Sequence, residues 1–460
     1  MGRGGALSPS APLVVGVDVG SQGTCAQALE PDGTLVATRT HAHALSYPRA
    51  GWAEQDPGEW TAALVGTLRA IREATAGREI VALSFGSQLD GLVACDARGE
   101  PLRPAIIWAD RRAGEECAAV AARSDPERLR TLTGCNLDPG HVAPKIAWLA
   151  ANEPEADAGA AVFAPPGAWV AWRASGTLAV DPSNASSFGL LDPRSRDWAG
   201  EACAAYEIDL ARLPEVARAD TVLGPLLPWL ASATGLDERT LVVLGAGDEM
   251  AATLGAGVVE PGVVCDVMGT AEPVCAVVAE PAHDPSGLVE LHPHADPDTW
   301  LLENPGWLSG GAYRWFRDEL GSPELARAAA DGLDVYELLD DLAACAPPGS
   351  GGVSWVPALA GAMAPEWNAQ ARAAWFGMTA AHTRAHLARA LLEGNALALR
   401  DVIEAIAGAG QAPREVVCVG GGARGRLLCE LRAHITGLPV SVPDDVETTA
   451  RGAAMLAAAG

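Results

Sequence analysis

Asp248 stands directly after Gly245-Ala246-Gly247 and before Glu249, where the apolar run Leu241–Leu244 gives way to small residues. A carboxylate at such a strand-to-helix junction is either a helix cap or a general base that takes a hydroxyl proton. Glu249 beside it binds a hydroxyl or only adds favourable charge at the helix start. Asp18 ends another apolar run, Leu13–Asp18, and is well placed to hold a hydrated Mg²⁺. Gly20, Ser21, Gln22, Gly23 and Thr24 follow it. Glycines let successive amides face an anion, and the two hydroxyls add donors for phosphate oxygens. Gly269-Thr270 offers a second cradle of amides and a hydroxyl. Gly420-Gly421-Gly422-Ala423 follows the strand-like Val416–Val419 and allows very close approach by a flat ligand such as adenine. Gln88-Leu89-Asp90-Gly91 lies just past the run Ile80–Phe85, where polar side chains suit polyol recognition or simply make a turn.

Other chemistries lack their residues. The chain has no G-x-x-x-x-G-K-[ST] loop and no G-x-S-x-G elbow. Ten cysteines are scattered with no C-x-x-C pair, which argues against a zinc site or a redox dithiol and favours a reducing cytoplasm. His41/His43 and His292/His294 are spaced i, i+2, and His382/His386 i, i+4 without an H-E-x-x-H, so they make no convincing metal set.

The elements that position these residues alternate between strand and helix patterns. Leu13–Asp18, Cys25–Leu29 and Thr34–Thr38 read as an antiparallel meander. Trp60–Ala74 and Ala381–Gly408 have helical apolar spacing, as does Thr448–Ala459 at the end. Residues 153–200 are rich in Pro, Gly and Asp and resist assignment. An internal echo relates VVGVDVGSQGTCAQAL to VVCDVMGTAEPVCAV: apolar strand, Asp, glycine turn with hydroxyls, apolar strand. It suggests two similarly built halves facing each other, with a boundary at 245/246.

Composition sets limits. The 460 residues carry 32 Lys+Arg against 58 Asp+Glu, a net charge of −26, with 49% hydrophobic residues. So apolar a chain is not disordered, and so acidic a chain repels nucleic acid and anionic membranes. Anionic ligands must be held by backbone amides or a few arginines. Lys145 is the only lysine. The stretch Met1–Pro12 lacks the apolar core of a signal peptide, and no long uncharged apolar run suggests a membrane span.

In this order the segments resemble the FGGY family of carbohydrate kinases, over Leu13 to Ala459. The segments carrying the resemblance are GVDVGSQGT, GWAEQDPGEW (Gly51–Trp60), RPAIIWADRRA (Arg103–Ala113) and APKIAWLAANE (Ala143–Glu153). To these are added GAGDEMAATLGAG (Gly245–Gly257), MGTAEP, GGAYRWFRD (Gly310–Asp318) and GGGARGRLL (Gly420–Leu428). The EQDP and APKIAWL segments look most like xylulokinases among the pentulose kinases. The chain departs from that pattern at Leu89-Asp90, where Met-His is usual, at Glu249-Met250, at Ala271-Glu272 and at Gly361–Pro365.

The resemblance implies an α/β fold of two actin-like (ribonuclease-H-like) ATPase domains around an interdomain cleft. Residues 1–245 would be the sugar and phosphate side, and 246–460 the adenosine side. It implies transfer of a phosphoryl group from MgATP to a sugar, most similarly a ketopentose such as xylulose. Asp248 would be the general base and Asp18 the Mg²⁺ residue; Gln88, Leu89, Asp90 and Glu249 would contact the sugar. Gly20–Thr24, Gly269, Thr270, Gly310, Arg314, Gly421, Gly422, Ala423 and Arg426 would hold ATP. Glycerol, erythritol, ribulose and fuculose stay open as acceptors, as does a non-catalytic sugar- or nucleotide-binding relative. The expected setting is cytoplasmic, with a small-molecule sugar as partner, no nucleic acid, no membrane, and a homodimer allowed for.

Overall fold

The computed structural model describes residues 11–362, 368 and 370–460. Residues 1–10 of the Met1–Pro12 stretch and Met363–Pro365 of the Gly361–Pro365 segment lie outside the described residues. The chain forms two compact units. The first runs to Gly255 and includes His292–Thr299 and Thr449–Gly460; the second comprises Ala256–Leu291 and Trp300–Thr448.

The first unit is built on a sheet of β1 (Leu13–Val19), β2 (Gly23–Leu29), β3 (Leu35–Ala42), β4 (Ile80–Ser87), β5 (Val222–Pro225) and β6 (Leu241–Val243). Its strand order is β5-β6-β4-β1-β2-β3, and the short β7 (Ala246–Gly247) also pairs with β4. β1, β2 and β3 form the expected antiparallel meander, while β1, β6 and β7 all run parallel to β4. Strands buried on both faces read as continuous apolar runs rather than alternating ones, and β1 shows why. Leu13, Val15, Val17 and Val19 point into a core with Trp60, Leu64, Leu68 and Ile71 of helix α1 (Pro57–Ala74). Val14, on the other face, meets Ala454 and Ala457 of the C-terminal helix Thr448–Ala459. That helix comes so close that a Cβ on Gly16 would sit 1.8 Å from the Ala450 carbonyl oxygen. α1 starts at Asp56, whose carboxylate caps Gly58 N–H, with Pro57 at the first helical position. A separate core joins α2 (Val142–Asn152) to Phe163, Phe188 and Leu190.

The division differs from a cut at residue 246. β7 completes the parallel row beside β4, so α3 (Asp248–Gly255) is seated in the first unit, and the chain returns there at Thr449.

The second unit repeats the plan. β8 (Val263–Val267) pairs antiparallel with β9 (Val274–Val278), which is flanked by β10 (Trp300–Asn304). On its other side β8 runs parallel to β11 (Glu415–Val419), which pairs with β12 (Val440–Ser441). The echo seen in the sequence is therefore structural: each unit has a hairpin whose first strand has a parallel neighbour. Helices α4 (Ser309–Leu320), α5 (Arg384–Gly408) and α6 (Arg426–Thr436) belong to this unit, with two shorter helices, Ser322–Asp331 and Val335–Ala344, between α4 and α5. α5 opens with a reciprocal capping box between Thr383 and His386. It then spans two apolar clusters, with Leu391 in one and Leu399 in the other.

Candidate active site

The register of the first sheet aligns the candidate residues. Asp18 of β1 lies opposite Gly86 of β4, and Ala246 of β7 lies opposite the same Gly86 from the other side. Asp18, Gln88 just past β4 and Asp248 just past β7 therefore leave the carboxyl ends of neighbouring parallel strands. Ligands of open α/β sheets bind at that edge. Two inter-strand spacings put the β1 and β7 backbones roughly 9–10 Å apart. Asp18 and Asp248 are both half-buried. Asp248 is the first residue of α3, and its carboxylate accepts the Glu249 N–H at 3.1 Å. The preceding Gly247 donates its N–H to Ser183 Oγ at 2.9 Å, which fixes the turn. Leu89 packs there: a Cβ on Gly247 would lie 2.4 Å from its Cδ2. Mg²⁺ takes oxygen ligands, keeps several waters and uses one or two carboxylates with substrate phosphates. Carboxylates at two ends of this strand row fit that chemistry.

The turn after β1 is held by a side-chain network. Gly20 N–H donates to Gly23 O at 3.0 Å. Trp108 Nε1 donates to Ser21 Oγ at 2.7 Å, and Ser21 Oγ donates to Gln88 Oε1 at 3.3 Å. Gln55 donates to Ser21 O at 2.7 Å and accepts from Gln88 Nε2 at 2.7 Å. Gln22 is exposed at the tip, whereas Thr24 is fully buried within β2. Of the two hydroxyls on this turn, only that of Ser21 stands at its edge.

Gln88 is buried, and Asp90 is half-buried with φ of 58°, a left-handed backbone that few non-glycine residues adopt. Its carbonyl accepts from Lys145 Nζ at 2.5 Å, and its N–H donates to Ser187 Oγ at 3.3 Å. Its carboxylate Oδ1 lies 2.9 Å from His141 Nδ1. Lys145 also donates to Ile107 O at 3.0 Å and to Gly140 O. It is fully buried, and burial pulls its ammonium down to about 8.

Residue type and local spacing alone mark no role for Gln55, Trp108, His141 and Lys145. Their signal was nevertheless present: three lie in EQDP, AIIWAD and APKIAWL, and His141 precedes the last of these by two residues.

The second unit gathers its glycine segments in the same way. Val267 of β8 pairs with Val419 of β11, so the turns Met268–Ala271 and Gly420–Ala423 leave adjacent parallel strands at one level. Gly422 N–H donates to Met268 O at 2.9 Å, and Gly311 N–H to Thr270 O at 3.0 Å. A Cβ on Gly310 would lie 2.2 Å from Gly269 O, so only glycine lets α4 begin against this turn. Gly269 is half-buried, and Thr270, Gly310, Arg314 and Gly421 are exposed. Ala423 is buried. Arg426 is exposed at the start of α6 and pairs with Glu430 at 2.7 Å.

Glu272, which closes the Gly269 turn, is buried on Arg432 of α6 with a contact of 2.5 Å. Arg432 also holds Asp266 of β8 at 2.5 Å. Two carboxyls here face one guanidinium, and burial pushes the Glu272 carboxyl up to about 8.

No described helix is long and apolar enough to cross a membrane. Residues 13–255 match the N-terminal domain of the FGGY family of carbohydrate kinases, and residues 266–460 match its C-terminal domain. The chain is 31% identical over 425 residues to the xylulose kinase of Escherichia coli (strain K12), covering 92% of this chain and 85% of that protein. It is 32% identical over 462 residues to the glycerol kinase of Rhodospirillum centenum, covering 97% of this chain and 89% of that one. The solved gluconate kinase of Lactobacillus acidophilus aligns with a TM-score of 0.87 at 25% identity, covering 97% of this chain and 89% of that one. With both domains matched along nearly its whole length, the protein belongs to the FGGY family and is an ATP-dependent carbohydrate kinase.

Proposed function

We propose that the chain transfers the γ-phosphoryl group of MgATP to a hydroxyl of a ketopentose, xylulose foremost, with Asp248 as general base. The observation that carries this is the strand register that sets Asp18, Gln88 and Asp248 at one edge of the parallel row. The APKIAWL and EQDP segments and the xylulose kinase relative support the ketopentose.

Phosphoryl transfer needs positioning and charge stabilisation more than covalent help from the protein. Asp248 orients the acceptor hydroxyl and takes its proton as the oxygen–phosphorus bond forms and the bond to the departing ADP oxygen breaks. Gln88, Leu89, Asp90 and Glu249 contact the sugar. The turn Gly20–Gly23 holds phosphate oxygens with the amides of Ser21, Gln22 and Gly23, Gly20 closing the turn through its own N–H, while buried Thr24 serves the packing beneath them. In the second unit Gly269 and Thr270 take phosphate, and Gly310, Arg314, Gly421, Gly422, Ala423 and Arg426 line the adenosine. Asp18 would hold Mg²⁺ through water, and the ion would supply neutralisation of phosphate charge.

The test is ADP release with MgATP against D-xylulose, D-ribulose, L-ribulose, L-xylulose, L-fuculose, glycerol and erythritol. We expect the highest kcat/KM with a ketopentose. Asp248→Asn lowers kcat by about 10²–10⁴-fold with ATP affinity little changed. Near-normal turnover by that variant removes Asp248 from the role, and glycerol or erythritol as the best acceptor replaces the ketopentose.

A further inference from the structure

Asp90, placed above against the sugar, is paired with His141, to which the reaction as described gives no task. We infer that the pair decides the acceptor class: a neutral polyhydroxy compound that presents a hydroxyl to Asp90, with sugar carboxylates such as aldonates rejected. This rests on the kinase reading and on Asp90 facing the acceptor.

Backbone strain at Asp90 is the first observation. A non-glycine residue at φ 58° persists only where its surroundings over-determine it. Here the surroundings are the Lys145 ammonium on its carbonyl and Ser187 Oγ on its N–H. These two contacts keep the Asp90 backbone at a set place past β4.

The second observation is how the Asp90 carboxylate is held. An ionised carboxylate only accepts hydrogen bonds, so at 2.9 Å the His141 Nδ1 is the donor. The Asp90 side chain keeps 25% of its surface exposed, against 9% for His141. One carboxylate oxygen is thus aimed by the ring from the buried side, and a ligand arriving from the open side must bring a donor. A hydroxyl does so. A ligand carboxylate brings a like charge, and such juxtapositions are how sites reject the wrong partner.

The third observation concerns the cations at this corner, which are already committed. Lys145 is fully buried under three carbonyls, and Arg111 pairs with Asp138. Gluconate is thus met by Asp90 without a lysine turned towards it. Since a gluconate kinase shares this fold at 25% identity, the fold by itself does not decide the question.

His141 acts through Asp90, so it is a positioning residue. Removing its donor loosens the carboxylate in the ground state more than it disturbs the chemistry. His141→Phe is expected to raise KM for the best neutral acceptor about tenfold, a charge-assisted hydrogen bond's worth, with kcat within about threefold. His141→Gln, which keeps a donor, restores most of that KM.

The experiment measures kcat/KM for D-xylulose, D-ribulose, glycerol and D-gluconate with the full chain, its Asp248→Asn control, Asp90→Asn and both His141 variants. Far-UV circular dichroism and Tm accompany each variant. The wild type is expected to favour its best neutral acceptor over gluconate by about 100-fold or more, and Asp90→Asn to shrink that ratio at least tenfold. Gluconate as an equal or better acceptor of the wild type overturns the inference, and as the best acceptor it also replaces the ketopentose, while the chain remains a carbohydrate kinase. So does a folded Asp90→Asn variant with an unchanged ratio; should Asp90→Asn fail to fold, Asp90→Ser takes its place, and an unchanged ratio there overturns the inference as well. Glycerol as the best acceptor overturns the ketopentose and spares the inference. A wild type silent in turnover and in ligand-induced Tm shift with all four compounds overturns both.

Discussion

His294 shows what one buried residue contributes to pH behaviour. Both ring nitrogens are engaged, Nε2 with the Thr253 hydroxyl at 2.9 Å and Nδ1 with the Thr299 hydroxyl at 3.0 Å. Burial disfavours the charged ring and pulls its pKa down to about 4. In the unfolded chain an ordinary histidine titrates near 6.5. Between those values the unfolded state binds the proton and the folded state does not. The stability linked to a neutral His294 is therefore intact above about pH 6.5 and is lost as pH falls towards about 4. The loss approaches roughly 3 kcal/mol at the acid end. Urea midpoints at pH 7, 5.5 and 4.5 for the wild type and His294→Gln measure this. The wild type should lose stability more steeply than the variant; parallel profiles would remove His294 as the cause. Legibility is uneven at this scale. Asp248 and Gln88 announce themselves because a carboxylate or amide after an apolar run is conspicuous. His294 does not, because its burial depends on Thr253 arriving from 41 residues earlier in the chain.

Elements are fixed by contacts of two kinds, local and distant, and only the local kind is visible in a string of residues. The β1–β2 hairpin follows from Gly20–Gly23 between apolar runs, and α5 follows from its long proline-free pattern and the Thr383/His386 box. Residues 153–200 resist assignment from sequence because their helices are short. Pro154–Gly159, Pro166–Ser175 and Pro182–Ser186 each begin with proline, which is the start signal that could have found them. The return of Thr449–Gly460 to the first unit depends on Gly16 admitting Ala450, a match of two positions far apart in sequence. The EQDP and RPAIIWADRRA segments likewise belong together through distant contacts. Arg103 and Arg112 both reach Glu54, at 2.5 and 2.7 Å, and Arg112 lies 3.6 Å from the Trp52 ring centroid.

Arg432 makes the same point in the second unit and yields a prediction. It ties α6 to β8 through Asp266 and to the Gly269 turn through Glu272, all buried. The acidic residue at 272 reads as a departure in the sequence; in the fold it is the partner of an arginine 160 positions later. Breaking a buried ion cluster by removing its cation strands the carboxyls, at a cost of about 3–5 kcal/mol. Arg432→Met should therefore lower stability by that amount in urea titrations. Glu272→Gln, which keeps the shape and removes one acid, should change it by under about 1.5 kcal/mol. Equal losses in the two variants would mean that the cluster acts by packing alone.

At the scale of the whole molecule, the excess of acid over base acts on substrates before any contact forms. The charge of −26 surrounds a site that must receive MgATP, itself an anion. That sum already counts every arginine, and pairs such as Arg424–Glu447 and Arg426–Glu430 limit local cationic patches. The Debye length is about 30 Å at 0.01 M salt and about 8 Å at 0.15 M, so repulsion reaches across the molecule at low salt and fades at higher salt. KM for MgATP should therefore fall several-fold as NaCl rises from about 0.01 to about 0.15 M at fixed free Mg²⁺. KM for a neutral acceptor should stay flat over the same range, because an uncharged molecule feels no such field. The contrast between the two substrates in one titration separates this effect from a change in the enzyme, which would move both. A KM for MgATP that instead rises with salt would show that a local cationic field, with Arg314 the exposed candidate, outweighs the global one.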